Sequence, residues 1–239
     1  MQLSVGTSGW SYKEWKGSFY PAELSSNGML AYYAARLPAV EINNSFYRIP
    51  KEGVLLDWAA RVPAGFRFVL KASRRITHIG RLADEDGSLD YFLRTANVLG
   101  EKLGPTLFQC PPSFRKDLPR LQAFLGRVPR TWRAALEFRH ASWFVDEVYD
   151  VLREHDVALV AVDEDESEGA GAPLVPTASW GYLRLRRADY ADAALASWLT
   201  RIRAQPWSEA FAFLKHDEDQ PTGPDAAVRL YRLSQQGSA

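Results

Sequence analysis

Eight short runs of apolar or alternating residues recur along the chain, and most are followed by a longer segment with helical spacing. The runs are "LSVGTSG", "AVEINNSF", "FRFVLKAS", "PTLFQCP", "RAALEFRH", "VALVAVDE", "GYLRLRR" and "EAFAFLKHD". Brief apolar continuity or strict alternation of this kind marks a strand. The intervening segments, such as "GMLAYYAARLP", "LPRLQAFLGRVP" and "VDEVYDVLREHD", repeat apolar residues at the spacing of an amphipathic helix, and many stop at Gly or Pro. Strand then helix, repeated, calls for parallel strands joined by crossovers. Eight such units within 239 residues fit a closed (β/α)8 barrel of the TIM type better than an open doubly wound sheet.

With 46% hydrophobic residues the chain can bury the core this requires, and residues 1–239 are expected to form one barrel domain. One unit breaks the pattern. The sixth crossover, "DEDESEGAGAPLVPTASW", is acidic and then rich in Gly and Pro, so its helix is expected to be missing or replaced by a loop.

Barrel enzymes of this type place their active sites at the C-terminal ends of the strands, where the following loops converge. The polar residues there form the candidate site. They are Glu41 and Asn43 on strand two, Lys71 on strand three, Gln109 on strand four, and Glu137, Arg139 and His140 on strand five. Asp163 follows on strand six, Arg184 and Arg186 on strand seven, and Lys215, His216 and Asp217 on strand eight. Residues two apart share one face of a strand. The apolar partners Val40 and Ile42, Leu136 and Phe138, and Leu183 and Leu185 would face the helices, so the charged series must point into the barrel. Charges buried there must pair with one another or await a ligand.

The stretches "GTSGWSYKEWKGSFYP", "VEINNSFYRIP", "FRFVLKASRRITH", "CPPSF", "LEFRHASW" and "GYLRLRR" resemble, in order and spacing, the YecE-like family, also called domain of unknown function number 72. The resemblance spans about residues 3 to 232 and implies a TIM-type barrel, but no established reaction. It carries over Glu41, Asn43, Lys71, Gln109, Glu137, Arg139 and His140 as pocket residues. Two motifs depart from the pattern: "RLRR" stands where many relatives resemble "RLHG", and "KHD" where they resemble "NND".

Other motifs exclude more than they assign. "GTSGW" lacks the lysine of a phosphate loop and the spacing of a nucleophile elbow, so Gly6 and Gly9 read as a tight turn. The aromatics Trp10, Tyr12, Trp15, Phe19 and Tyr20 either wall a pocket or cover the barrel rim. There are four histidines and no HExxH or paired-cysteine spacing, so neither a metal nor a cofactor is expected. The formal net charge of zero announces no nucleic-acid partner. The single Cys110 and the N-terminal "MQLSVGTSGW", without basic leader or apolar signal core, suggest a cytoplasmic setting, and no run approaches the roughly 20 apolar residues of a membrane helix.

The leading expectation is a barrel enzyme acting on a small anionic or sugar-like substrate, such as a phosphate or carboxylate. Glu41 and Glu137 would be its acid/base pair, with Lys71 and His140 completing the catalytic set. Asn43, Gln109, Arg139, Asp163, Arg184, Arg186, Lys215, His216, Tyr12, Tyr47 and Trp143 would bind the substrate, arginine being suited to planar anions. Two other classes fit the same residues. One is a metal-dependent phosphodiesterase acting on nucleic acid, with His140, His216, Glu41, Glu137 and Asp217 as ligands. The other is a non-catalytic anion-binding protein. The oligomeric state is not legible.

Overall fold

The computed structural model describes residues 1–83, 86–164, 172–215 and 222–236. Within them the strands are β1 (Gln2–Thr7), β2 (Ala39–Ile42), β3 (Arg67–Lys71), β4 (Leu103–Gln109), β5 (Ala134–Glu137), β6 (Ala158–Asp163), β7 (Trp180–Leu185) and β8 (Glu209–Leu214). The helices are α1 (Ser26–Ala34), α2 (Glu52–Ala60), α3 (Ser88–Ala96), α4 (Leu118–Arg127), α5 (Asp146–Glu154), α6 (Asp192–Arg203) and α7 (Gly223–Gln235). Every strand pairing is parallel, in the order β1-β8-β7-β6-β5-β4-β3-β2, which is a TIM-type barrel closed but for one seam. The described part of the sixth crossover, residues 172–179, contains no helix, as its composition led us to expect. Residues 165–171 of that segment lie outside the described residues.

The seam lies between β1 and β2. They meet in a single bridge at Ser8 and Glu41, where the Gly9 N–H donates to the Glu41 carbonyl at 2.8 Å. A Cβ on Gly6 would stand 2.1 Å from the Ala39 carbonyl oxygen, so β1 can approach β2 only because position 6 has no side chain. The Tyr33 hydroxyl, reaching in from α1, accepts from the Thr7 N–H at 2.8 Å and donates to the Ala39 carbonyl at 2.9 Å. It thereby satisfies two backbone groups that the missing ladder would otherwise leave bare.

Alternation along the strands sorts the side chains as the sequence implied. Ala39, Val69, Leu107, Ala135, Val160, Tyr182, Phe211 and Phe213 fill the barrel. Val40, Ile42, Leu136, Phe138, Leu183 and Leu185 join the larger core under the helices. The helices begin and bury as their patterns require. Asp117 caps α4 by accepting from the Arg120 N–H at 3.1 Å, and α5 carries Asp146 and Glu147 in its first turn while burying Val148, Val151 and Leu152. No helix among the described residues is long and apolar enough to cross a membrane.

Candidate functional site

The inward series of β1, β2, β3, β4, β5 and β7 ends in polar residues that meet at the C-terminal mouth of the barrel. Arg184, nine-tenths or more buried, lies at their centre. Its Nη2 donates to Glu41 Oε1 and its Nη1 to Glu137 Oε2, both at 2.8 Å. Glu41 also accepts from Ser8 Oγ at 2.8 Å, from the Tyr182 hydroxyl at 2.7 Å and from Asn43 Nδ2 at 3.2 Å. Glu137 accepts from Gln109 Nε2 at 2.7 Å and lies 3.4 Å from Arg139 Nε. Gln109 Oε1, fixed by that bond, accepts from Lys71 Nζ at 2.8 Å.

Burial would raise the carboxyl groups, but their cationic and hydrogen-bonding partners outweigh it. Glu41 is brought from an ordinary 4.5 down to about 2 by Arg184 and by the hydrogen bonds from Tyr182, Arg184 and Ser8. Glu137 is lowered as well, chiefly by Arg184 and Arg139. Both are permanently ionised at neutral pH and sealed, with 0% and 1% exposure. Neither stands free as an acid/base pair was expected to: each is ion-paired with Arg184 and holds it in the barrel. Lys71 behaves in the opposite way. Its burial, reinforced by Arg184 and opposed by Glu41 and Glu137, lowers its ammonium to about 8.

Above this layer is an open cavity of about 380 Å³. Ser8, Tyr12, Asn43, Phe46, Tyr47, Lys71, His78, Gln109, Arg139, Arg184, Arg186 and Lys215 line it. Among the described residues, Lys71, Arg139, Arg184, Arg186 and Lys215 stand here with three carboxylates, Glu41, Glu137 and Glu164. The Arg186 Nε lies 3.4 Å from Glu164 Oε1 but lacks hydrogen-bonding alignment, and neither it nor the buried Arg184 Nε has a hydrogen-bond partner among the described residues. A larger concavity of about 680 Å³ lies between α1 and α7, on the outside of the helix layer and away from the strand ends.

Three expected site residues fall elsewhere. Asp163 shares the outward parity of Leu159 and Ala161, and it accepts from Arg187, from the Tyr190 hydroxyl and from Trp198 Nε1 on α6. His140 follows the inward Arg139 and so faces away. Its Nδ1 accepts from the Ser142 N–H at 3.1 Å, capping the 3₁₀ turn Ala141–Trp143. Trp143 is wholly buried, stacked on Phe138 at 4.2 Å, with its Nε1 donating to the Phe114 carbonyl. It has no surface to offer a ligand. His216 and Asp217 lie outside the described residues. Of the first-loop aromatics Tyr12 alone lines the cavity; Trp15 and Tyr20 are buried in the rim.

Five residues of the site were missed, one of them Ser8 just after β1. Tyr182 shares the parity of Arg184, already read as inward, so the alternation could have found it; Glu164 has the opposite parity to Asp163, which was read as inward. His78 and Phe46 could not be found that way. His78 is brought to the mouth by the π-turn Arg75–Ile79, Phe46 by the turn Asn44–Phe46, and their rings meet edge-on at 4.8 Å. Of the ligands named for a phosphodiesterase, Glu41 and Glu137 are ion-paired with Arg184 and His140 caps the Ala141–Trp143 turn, while His216 and Asp217 lie outside the described residues; no group of three His, Cys, Asp or Glu among the described residues could hold a metal ion.

Comparison with known proteins bears on the fold and on kinship. Residues 4–239 match the model of a family described as "Protein of unknown function DUF72". The chain is 30% identical over 143 residues to the UPF0759 protein YecE of Escherichia coli (strain K12), covering 59% of this chain and 50% of that one. It is 30% identical over 160 residues to the UPF0759 protein YunF of Bacillus subtilis (strain 168), covering 62% and 54%. The matched region thus spans about half the length of these curated relatives. Its fold is similar to that of a DUF72 family protein from Thermotoga maritima MSB8, with a TM-score of 0.82 at 25% identity over 98% of this chain and 100% of the other. A DUF72 family protein from Enterococcus faecalis V583 gives 0.75 at 22% identity, covering 98% of each chain.

Proposed function

Because the chain belongs to the DUF72 family, whose function is unknown, its chemistry has to be read from its own pocket; we propose an enzyme that binds a small anionic substrate at the barrel mouth. The observation that carries this reading is the division of charge among the strand ends. Arg184 pairs with Glu41 and Glu137, Arg139 and Arg186 share Glu164, and with Lys71 and Lys215 these cations line the cavity. An anion there would meet guanidinium and ammonium donors in a partly desolvated site, where charge-assisted hydrogen bonds are strongest. Lys71, with its ammonium near neutrality, is the proton-exchanging group, and Asn43, Gln109 and Tyr12 orient the substrate. The proposal includes a cytoplasmic setting, in keeping with the single, free and buried Cys110.

The test is calorimetric titration with phosphate, oxalate and other small carboxylates. Binding by the native protein should weaken about tenfold or more in Arg186→Ala, since a hydrogen bond to a charged group contributes about 1.5–3 kcal/mol. Arg187→Ala removes the same charge one residue on, where the side chain pairs with the outward Asp163, and should leave binding unchanged. Failure of every anion to bind, or equal losses in the two variants, would refute the reading.

A further inference from the structure

Lys71 shares its ring of strand ends with two carboxylates and pairs with neither. Arg184 takes both, and among the described residues Lys71 forms no ion pair. Among the described residues its Nζ donates to the amide oxygen of Gln109, whose orientation is set by the bond that the Gln109 Nε2 makes to Glu137. That arrangement suits a nucleophile. A carboxylate partner would hold the proton on the ammonium far more strongly than a neutral amide oxygen does. The Nζ also lies 4.3 Å from the centroid of the Phe46 ring, which forms an apolar wall beside it.

The same cavity holds Arg139, Arg186 and Lys215, cations placed to grip an anionic group while the reacting carbon is presented to Lys71. From this geometry we propose that Lys71 condenses with the carbonyl carbon of a small anion-bearing aldehyde, ketone or 2-oxo acid to form an imine. The inference rests on reading the cavity as an anion site and names the substrate class for it. In the step, the Nζ lone pair attacks the carbonyl carbon and the C=O π pair moves to oxygen. A proton passes from nitrogen to that oxygen, giving a carbinolamine. The hydroxyl then takes up a second proton from solvent and departs as water, and the nitrogen lone pair forms the C=N⁺ bond of the protonated imine. No oxidant or reductant is needed. Surrounding cations stabilise the transient alkoxide, and the lowered ammonium supplies free amine at neutral pH.

Glyoxylate with sodium cyanoborohydride is the direct probe, since hydride delivered to the imine carbon leaves a stable secondary amine that peptide mass mapping can place. Lys71 should be labelled at least about tenfold faster than the exposed Lys13 or Lys51. Oxalate should suppress that labelling. Labelling spread evenly over the lysines, or centred on Lys215, overturns the assignment to Lys71. Oxalate binding with no adduct on Lys71 would sink the imine step alone; no oxalate binding in the native protein would sink the anion site beneath it. Lys71→Met, checked for an unchanged melting curve, should lose the adduct, while Arg187→Ala, whose side chain pairs with the outward Asp163, should keep it.

Discussion

Without Arg184, Glu41 and Glu137 would face the barrel interior as two ionised carboxylates with nothing of opposite charge between them. The guanidinium resolves that conflict and, in doing so, sets Lys71 apart from any carboxylate. Two expectations follow for individual residues. Glu41→Gln leaves a buried guanidinium half-paired and should cost about 3 kcal/mol or more in denaturant unfolding, as broken buried pairs do. The pH dependence has a definite sign. The Glu41 carboxyl is lower in the folded protein than the ordinary 4.5, so its contribution to stability is complete above about 4.5 and is lost as pH falls toward 2. Across that window the native protein should lose stability more steeply than Glu41→Gln. Lys71 should react with amine reagents with a midpoint near 8 rather than the ordinary 10.5, read by competitive labelling against pH. The sequence showed which residue types stand at the strand ends, but in the all-apolar run before Asp163 alternation gives no sign of which face is inside, and Asp163 was read as inward where Glu164 is. It could not show that one arginine would occupy both glutamates, because that depends on the reach of a side chain across the barrel from β7 to β2 and β5.

At the scale of the elements, the eight strands and seven helices were legible because each carries its own period and its own stop signal. The strands proved shorter than their apolar runs. "RAALEFRH" reads as strand through His140, yet β5 ends at Glu137 because the chain turns there into the Ala141–Trp143 turn that His140 caps. The short turns that carry Phe46 and His78 to the mouth have no periodicity to read and stayed invisible. The β1–β2 seam was invisible for a related reason: Gly6 was read as a turn residue, whereas it serves close backbone approach. Gly6→Ala should destabilise the fold by about 1–3 kcal/mol through the clash with the Ala39 carbonyl. Tyr33→Phe should cost a similar ~1–3 kcal/mol by leaving two seam groups without their partner. Both are read in urea unfolding, and an undisturbed stability in either variant would show that the seam does not depend on that residue.

For the whole molecule, a chain of zero net charge gathers a cluster of cations at one end of its barrel. Global composition gave no hint of it, because a sum over the chain does not show which residues the strand ends bring together. The cationic cluster is the central claim, and it links anion binding to Lys71. A bound anion favours the ammonium over the amine, so binding near the Lys71 midpoint must draw in a proton. Oxalate is fully ionised there and contributes no proton of its own. The most direct measurement is therefore calorimetric titration of oxalate at pH 8 in two buffers of different ionisation enthalpy. Binding with net proton uptake that disappears in Lys71→Met is the expected result. Absence of binding, or binding whose heat is the same in both buffers, would contradict it.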